Sequence, residues 1–160
     1  MKRRGPSPSI ASYGAVISAC AKGGQWQRSL ALLREMPARN LVPNVIVCSA
    51  VVSACGRGGQ WQWALSLLEE IEEDELDTVA YNAVISACEK SLQGRLAVRL
   101  LREVRLQGLE ATIVTYDAAL SACEKSLRWE QALDLLDEAR WQGLTPAGIT
   151  YNAAVSACEK

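Results

Sequence analysis

Two kinds of apolar pattern alternate along the chain. In the first, Ala, Val, Ile and Cys crowd together with only small residues between them, as in Ala15-Val16-Ile17-Ser18-Ala19-Cys20 and Ala83-Val84-Ile85-Ser86-Ala87-Cys88. Such a segment suits a helix packed closely on more than one side. In the second, large apolar residues return at helical spacing among charges: Trp26, Leu30 and Leu33, and later Trp129, Leu133 and Leu136. That spacing predicts an amphipathic helix. Breaks separate the two: Lys22-Gly23-Gly24, Arg57-Gly58-Gly59, Ser91-Leu92-Gln93-Gly94 and the glycine-free Ser126-Leu127-Arg128. Glycine there supplies the left-handed turn that stops a helix. Gly108-Leu109 and Gly143-Leu144-Thr145-Pro146 end the second helix in the same way, and no period-2 alternation of a strand interrupts the pattern.

The alternation has a fixed period. Cys20, Cys55, Cys88, Cys123 and Cys158 fall 35, 33, 35 and 35 residues apart, each within the string Ser-Ala-Cys. Phased on them, the units run Ile10 to Asn44, Val45 to Asp77, Thr78 to Thr112 and Ile113 to Ala147, with a partial fifth from Gly148 to Lys160 and a basic, polar leader over 1–9. One helix pair cannot cover its own apolar face, so neighbouring pairs must stack, and three or more units stabilise one another. The expected fold is all-α, a right-handed α-α superhelix of helix-turn-helix repeats with an inner and an outer helix in each unit. Trp26, Trp61 and Trp129, at one place in the repeat, read as packing residues. The second unit is two residues short in its linker, which predicts disturbed stacking and a displaced Asp77. The last residues stop inside an inner helix, so the chain reads as a piece of a longer array or as poorly ordered at that end.

Composition changes this picture little and excludes much. The 160 residues are 49% hydrophobic and 22% charged with a formal net charge of -1, so any polyanion must be held by a local patch, not by an overall basic field. No apolar run approaches the roughly 18 residues of a membrane span, and Met1-Lys2-Arg3-Arg4-Gly5 lacks the apolar segment of a secretory signal. Histidine is absent and no Cys-x-x-Cys pair occurs, so a zinc site has no ligand set and the periodic cysteines read as small, reduced core residues. No Ser-His-Asp or Cys-His constellation and no phosphate-binding glycine loop is present, which argues against an enzyme, a cofactor or a small-molecule substrate.

The openings Val79-Ala80-Tyr81-Asn82 and Ile149-Thr150-Tyr151-Asn152, the Cys-Glu-Lys close of the inner segment and the Gly143-Leu144-Thr145-Pro146 linker resemble the pentatricopeptide repeat over Ile10 to Lys160. The resemblance implies single-stranded RNA binding with one base per repeat, in an organelle, chloroplast or mitochondrion. It further implies base-reading pairs made of the fifth residue of each inner segment and the last residue of the same unit: Gly14 with Asn44, Ser49 with Asp77, Asn82 with Thr112, Asp117 with Ala147, and Asn152 beginning an incomplete pair. Ser49 with Asp77 resembles a guanine-reading pair and Asn82 with Thr112 a pyrimidine-reading one, whereas Gly14 and Ala147 depart from the usual combinations. An aliphatic residue near each unit's start would clamp the base from the side, here Ile46, Val79, Val114 and Ile149, with Ala11 a weaker version. The alternative for these four is packing on the neighbouring unit.

A further regularity comes from the residues themselves. Lys22, Arg57, Lys90, Lys125 and Lys160 recur once per unit just before the turn, a basic ladder that stacked units would set along one edge to meet successive phosphates. The alternative role is to complement the carbonyl end of the helix dipole. Glu89, Glu124 and Glu159 offset the ladder, and the run from Glu69 to Glu75 reads as a solvated outer face that would repel RNA. Two functions are carried forward: an RNA adaptor in transcript processing, stability, editing or translation, and a scaffold whose groove holds a protein segment.

Overall fold

The computed structural model describes residues 8–72, 75–145 and 148–159. Within them the chain is helical: α1 Ile10–Lys22, α2 Trp26–Ala38, α3 Val45–Arg57, α4 Trp61–Glu70, α5 Thr78–Lys90, α6 Gly94–Leu106, α7 Ile113–Lys125, α8 Trp129–Trp141 and α9 Gly148–Glu159. The inner helices start at side-chain caps. Ser9 Oγ accepts from the Ser12 amide at 3.2 Å, Asn44 Oδ1 from Val47 at 3.0 Å and Asp77 Oδ1 from Ala80 at 2.8 Å, while Thr112 and Thr115 form a reciprocal box. Each cap satisfies amides that the first turn leaves unpaired.

The packing order explains the curvature. Inner helices pack in a row, α1 on α3, α3 on α5, α5 on α7 and α7 on α9, while each outer helix lies on its own inner helix and on the next one. Outer helices make no comparably extensive contact with one another. The inner row therefore takes the shorter, concave side of an α-α superhelix. Its buried side is a repeated set: Ile17, Val52, Ile85 and Leu120 are fully covered, as are Tyr81, Tyr116, Cys55, Cys88 and Cys123. Three of the five periodic cysteines are core, as their spacing indicated, whereas Cys20 is half-buried and Cys158 is exposed.

The turns differ from expectation in the third and fourth units. Gly24 and Gly59 hold the left-handed conformation in the first two, at φ 70° and 68°, but Leu92 and Leu127 hold it in the next two at φ 57°. Gly94, expected to be the turn glycine, instead opens α6, where a Cβ would lie 2.0 Å from Ser126 Oγ and 3.0 Å from Ala122 O. Close packing, not a turn, requires it. A left-handed leucine is strained by about 1 kcal/mol, and both leucines are more than half exposed, so little burial would be lost with them. Leu92→Gly or Leu127→Gly is accordingly expected to raise stability by about 0.5–1 kcal/mol, read from the midpoint of urea unfolding. An unchanged or lower midpoint would contradict the strain.

The short second unit does not disrupt the stack. Its outer helix has 10 residues where α2, α6 and α8 have 13, and Ile71 leaves it in an extended conformation while staying buried. The deficit is absorbed in the last outer turn and the linker. Asp77 keeps the capping place that Asn44 and Thr112 hold, so the expected displacement does not occur. The α3 and α5 backbones meet closely: a Cβ on Gly56 would lie 2.3 Å from Ala83 O.

Candidate nucleic-acid interface

The helix register gathers the candidate residues. Ala11, Ile46, Val79, Val114 and Ile149 are each the second residue of an inner helix, and Gly14, Ser49, Asn82, Asp117 and Asn152 each the fifth. Three residues apart, the two sets share neighbouring strips of one helix face. Ile46, Val79 and Val114 are 71%, 63% and 60% exposed, which removes neighbour packing as their reason for being apolar. Three β-branched side chains held in water, one per unit, form an apolar row that nothing in the fold covers. Ile149 occupies the same helix position, with its side chain outside the described residues.

The candidate reading positions are half-buried in Gly14, Ser49, Asn82 and Asp117 and exposed in Asn152. Asn82 Oδ1 is buried without a hydrogen-bond partner. The paired positions have a second role that the sequence reading missed: Asn44, Asp77 and Thr112 are the helix caps described above. Capping occupies one oxygen of each and fixes the side chain at the rim, leaving the Asn44 amide and the second Asp77 oxygen available to a base edge. The signal was present, since Asn, Asp and Thr directly before an apolar segment are cap residues. Ala147 lies outside the described residues.

The basic ladder is real in register and partly engaged. Lys22, Arg57, Lys90 and Lys125 each end an inner helix, about 16 Å along it from the apolar row and on nearly the same side. Lys160 lies outside the described residues. Three of the cations reach towards the preceding unit: Arg57 Nη1 donates to Ala21 O at 3.3 Å, Lys90 Nζ donates to Arg57 O at 2.6 Å, and Lys125 Nζ pairs with Glu89 Oε1 at 2.8 Å. Arg57 and Lys90 thus cap the carbonyl ends of the preceding inner helices, α1 and α3. The strongest exposed basic face lies elsewhere: Arg95, Arg99 and Arg102 stand at i, i+4 and i+7 on the outer helix α6, beside the 87% exposed Leu106.

Outer side chains brace the row. Tyr13 donates to Glu35 at 3.1 Å, Tyr116 donates to Glu138 at 3.5 Å, and Arg105 of α6 pairs with the same Glu138 of α8. Trp26 and Trp61 pack half-buried against the core, whereas Trp129 is 48% exposed. Arg34 covers the Trp63 ring at 4.7 Å. Among the described residues no cluster of His, Cys, Asp and Glu could hold a metal, and no helix is long and apolar enough to cross a membrane.

Burial also sets the cysteine chemistry. It pushes the Cys55 and Cys123 thiols up to about 11 and Cys88 to about 12, so they stay protonated, while Cys158 is exposed. A maleimide at neutral pH is expected to label Cys158 rapidly and these three only on unfolding. A thiol that ionises later in the folded chain than in the unfolded one disfavours folding as pH rises. Stability is therefore expected to fall from about pH 9 towards 11–12. Fast labelling of all six cysteines, or flat alkaline stability, would contradict the buried row.

Comparison with known proteins places this geometry. A family model described as "Pentatricopeptide repeat domain" matches residues 31–91 and 99–160, and one described as "PPR repeat" matches 11–41 and 79–109. The chain belongs to the pentatricopeptide repeat family. The pentatricopeptide repeat protein PPR10 from maize superposes with a TM-score of 0.71 at 30% identity over 98% of this chain. PPR10 solved in complex with an 18-nt psaJ RNA element gives 0.79 at 26% identity, again over 98% of it, and a triple cysteine-to-serine variant in complex with the same element gives the same values. The chain spans 23% of the length of those PPR10 chains. No curated protein matches it. In this pentatricopeptide repeat array the second, fifth and last residues of every described inner helix from α1 to α7 stand in register, so the fold brings together what the repeat spacing scattered along the chain.

Proposed function

We propose that this pentatricopeptide repeat chain binds single-stranded RNA along its concave row, one base per repeat. The observation that carries the proposal is the exposed row of Ile46, Val79 and Val114, apolar residues in water at the place where a base would be clamped. In this reading bases stack against those side chains, and Ile149 and Ala11 continue the row. Ser49 with Asp77 and Asn82 with Thr112 read the strongest positions, guanine and a pyrimidine respectively. Gly14 with Asn44, Asp117 with Ala147 and Asn152 contribute less selectivity. Lys22, Arg57 and Lys90 meet the phosphates, and Lys125 and Lys160 continue the ladder in register. PPR10, similar over nearly all of this chain, was solved with RNA, which supports the reading. An organellar role in RNA processing, stability, editing or translation follows from the family resemblance.

A second reading, a scaffold for a protein segment, is favoured by the outer face of α6. Arg95, Val98, Arg99, Arg102, Glu103 and Leu106, with Gln131 of α8, line a groove of about 590 Å³ whose three arginines outweigh its one carboxylate, which suits an acidic partner. A salt titration of binding to unstructured and to duplex RNA tests the first reading. Preference for the single strand is expected, with log affinity falling against log salt at a slope of about -2 if three phosphates are held. Equal binding to duplex, or no binding at low salt, would overturn it.

A further inference from the structure

The ladder is uneven. In α5 and α7 the residue before the terminal lysine is acidic, Glu89 and Glu124, whereas in α1 and α3 it is Ala21 and Gly56. Arg57 and Lys90 therefore anchor on neutral backbone carbonyls and keep their charge uncompensated, as does the exposed Lys22. Lys125 meets a different environment. Its Nζ donates to Glu89 Oε1 at 2.8 Å, and Ser121 Oγ donates to the same oxygen at 2.8 Å. Ser121 lies one helical turn beyond Asp117 on α7, so this cluster stands immediately beside the fourth reading position.

We propose that Glu89 is an acidic gate that withholds Lys125 from the phosphate ladder and concentrates the array's backbone affinity in its first three units. The inference rests on the RNA-binding reading of the groove. A phosphate approaching Lys125 must displace the Glu89 carboxylate or share the cation with it, and it meets a like charge within one residue's reach. Arg57 and Lys90 contact neutral backbone carbonyls, and among the described residues neither they nor Lys22 pairs with a carboxylate. The carboxylate is bound from two sides, by Lys125 and Ser121, which holds it where it blocks. The second contact also makes the substitution clean: a glutamine at 89 retains an oxygen for Ser121 while losing the charge. The consequence is a groove that grips RNA at its first units and lets the strand exchange at its fourth, so that the base opposite Asp117 is weakly held.

The test is a four-protein cycle: the unaltered chain, Glu89→Gln, Lys125→Ala and the double variant, each titrated with an unstructured single-stranded RNA across a salt series. Glu89→Gln is expected to tighten binding about two- to fivefold and to steepen the salt slope by about 0.7, one added phosphate contact. The gain should disappear in the Lys125→Ala background, and Lys125→Ala alone should change little. RNA binding with no gain in Glu89→Gln, or with the same gain whether or not Lys125 is present, would overturn the gate while leaving the groove reading intact. Absence of RNA binding by all four would overturn both.

Discussion

Gly56→Ala is expected to lower stability by about 1–3 kcal/mol. A Cβ there would lie 2.3 Å from Ala83 O and 2.9 Å from its carbonyl carbon, both backbone atoms of α5 that no rotamer change can move aside. Relief requires α3 and α5 to separate, and with them the junction of the second and third units. The control is Gly14→Ala, where the new methyl would sit 3.6 Å from Val47 Cγ2, an ordinary contact. Its urea midpoint should stay level or rise slightly, since alanine is the better helix former. If Gly56→Ala matched Gly14→Ala, the two inner helices would not approach as described.

The second large effect concerns binding. Replacing Ile46, Val79 and Val114 together by serine is expected to weaken RNA binding by more than about a hundredfold, taking roughly 1 kcal/mol for each clamped base. The unfolding midpoint should hardly move, because the three side chains are already 60–71% exposed. That separation of affinity from stability distinguishes clamping from packing. A fall in stability without a change in affinity would return the row to a structural role.

Much of this was legible in the sequence because a repeat states its own register. The Ser-Ala-Cys string aligned the units, and alignment alone put Ile46, Val79 and Val114 in one row and the terminal cations in another. Their exposure was not legible, because a β-branched residue at a helix start is compatible with packing or with solvent, and only the neighbouring helix decides. The contacts of Arg57, Lys90 and Lys125 were hidden for the same reason. They join residues 33–36 positions apart, so they depend on the rise between stacked units. Two local expectations yielded to tertiary context. Gly94 serves close packing against α7, and the left-handed turn it was expected to make falls on Leu92. The short second unit keeps its stacking because the outer helix, with fewer partners than the inner one, gives up its last turn.

RNA could also be drawn to the guanidinium face of α6, so the measurement that decides the concave assignment is a paired charge reversal read by affinity for one unstructured RNA. Lys22→Glu with Lys90→Glu alters the inner row, and Arg99→Glu with Arg102→Glu alters the outer face by the same number of charges. The expected result is a loss of at least about tenfold and a shallower salt slope for the inner pair, with the outer pair near the unaltered chain. Loss confined to the outer pair would contradict RNA binding in the groove.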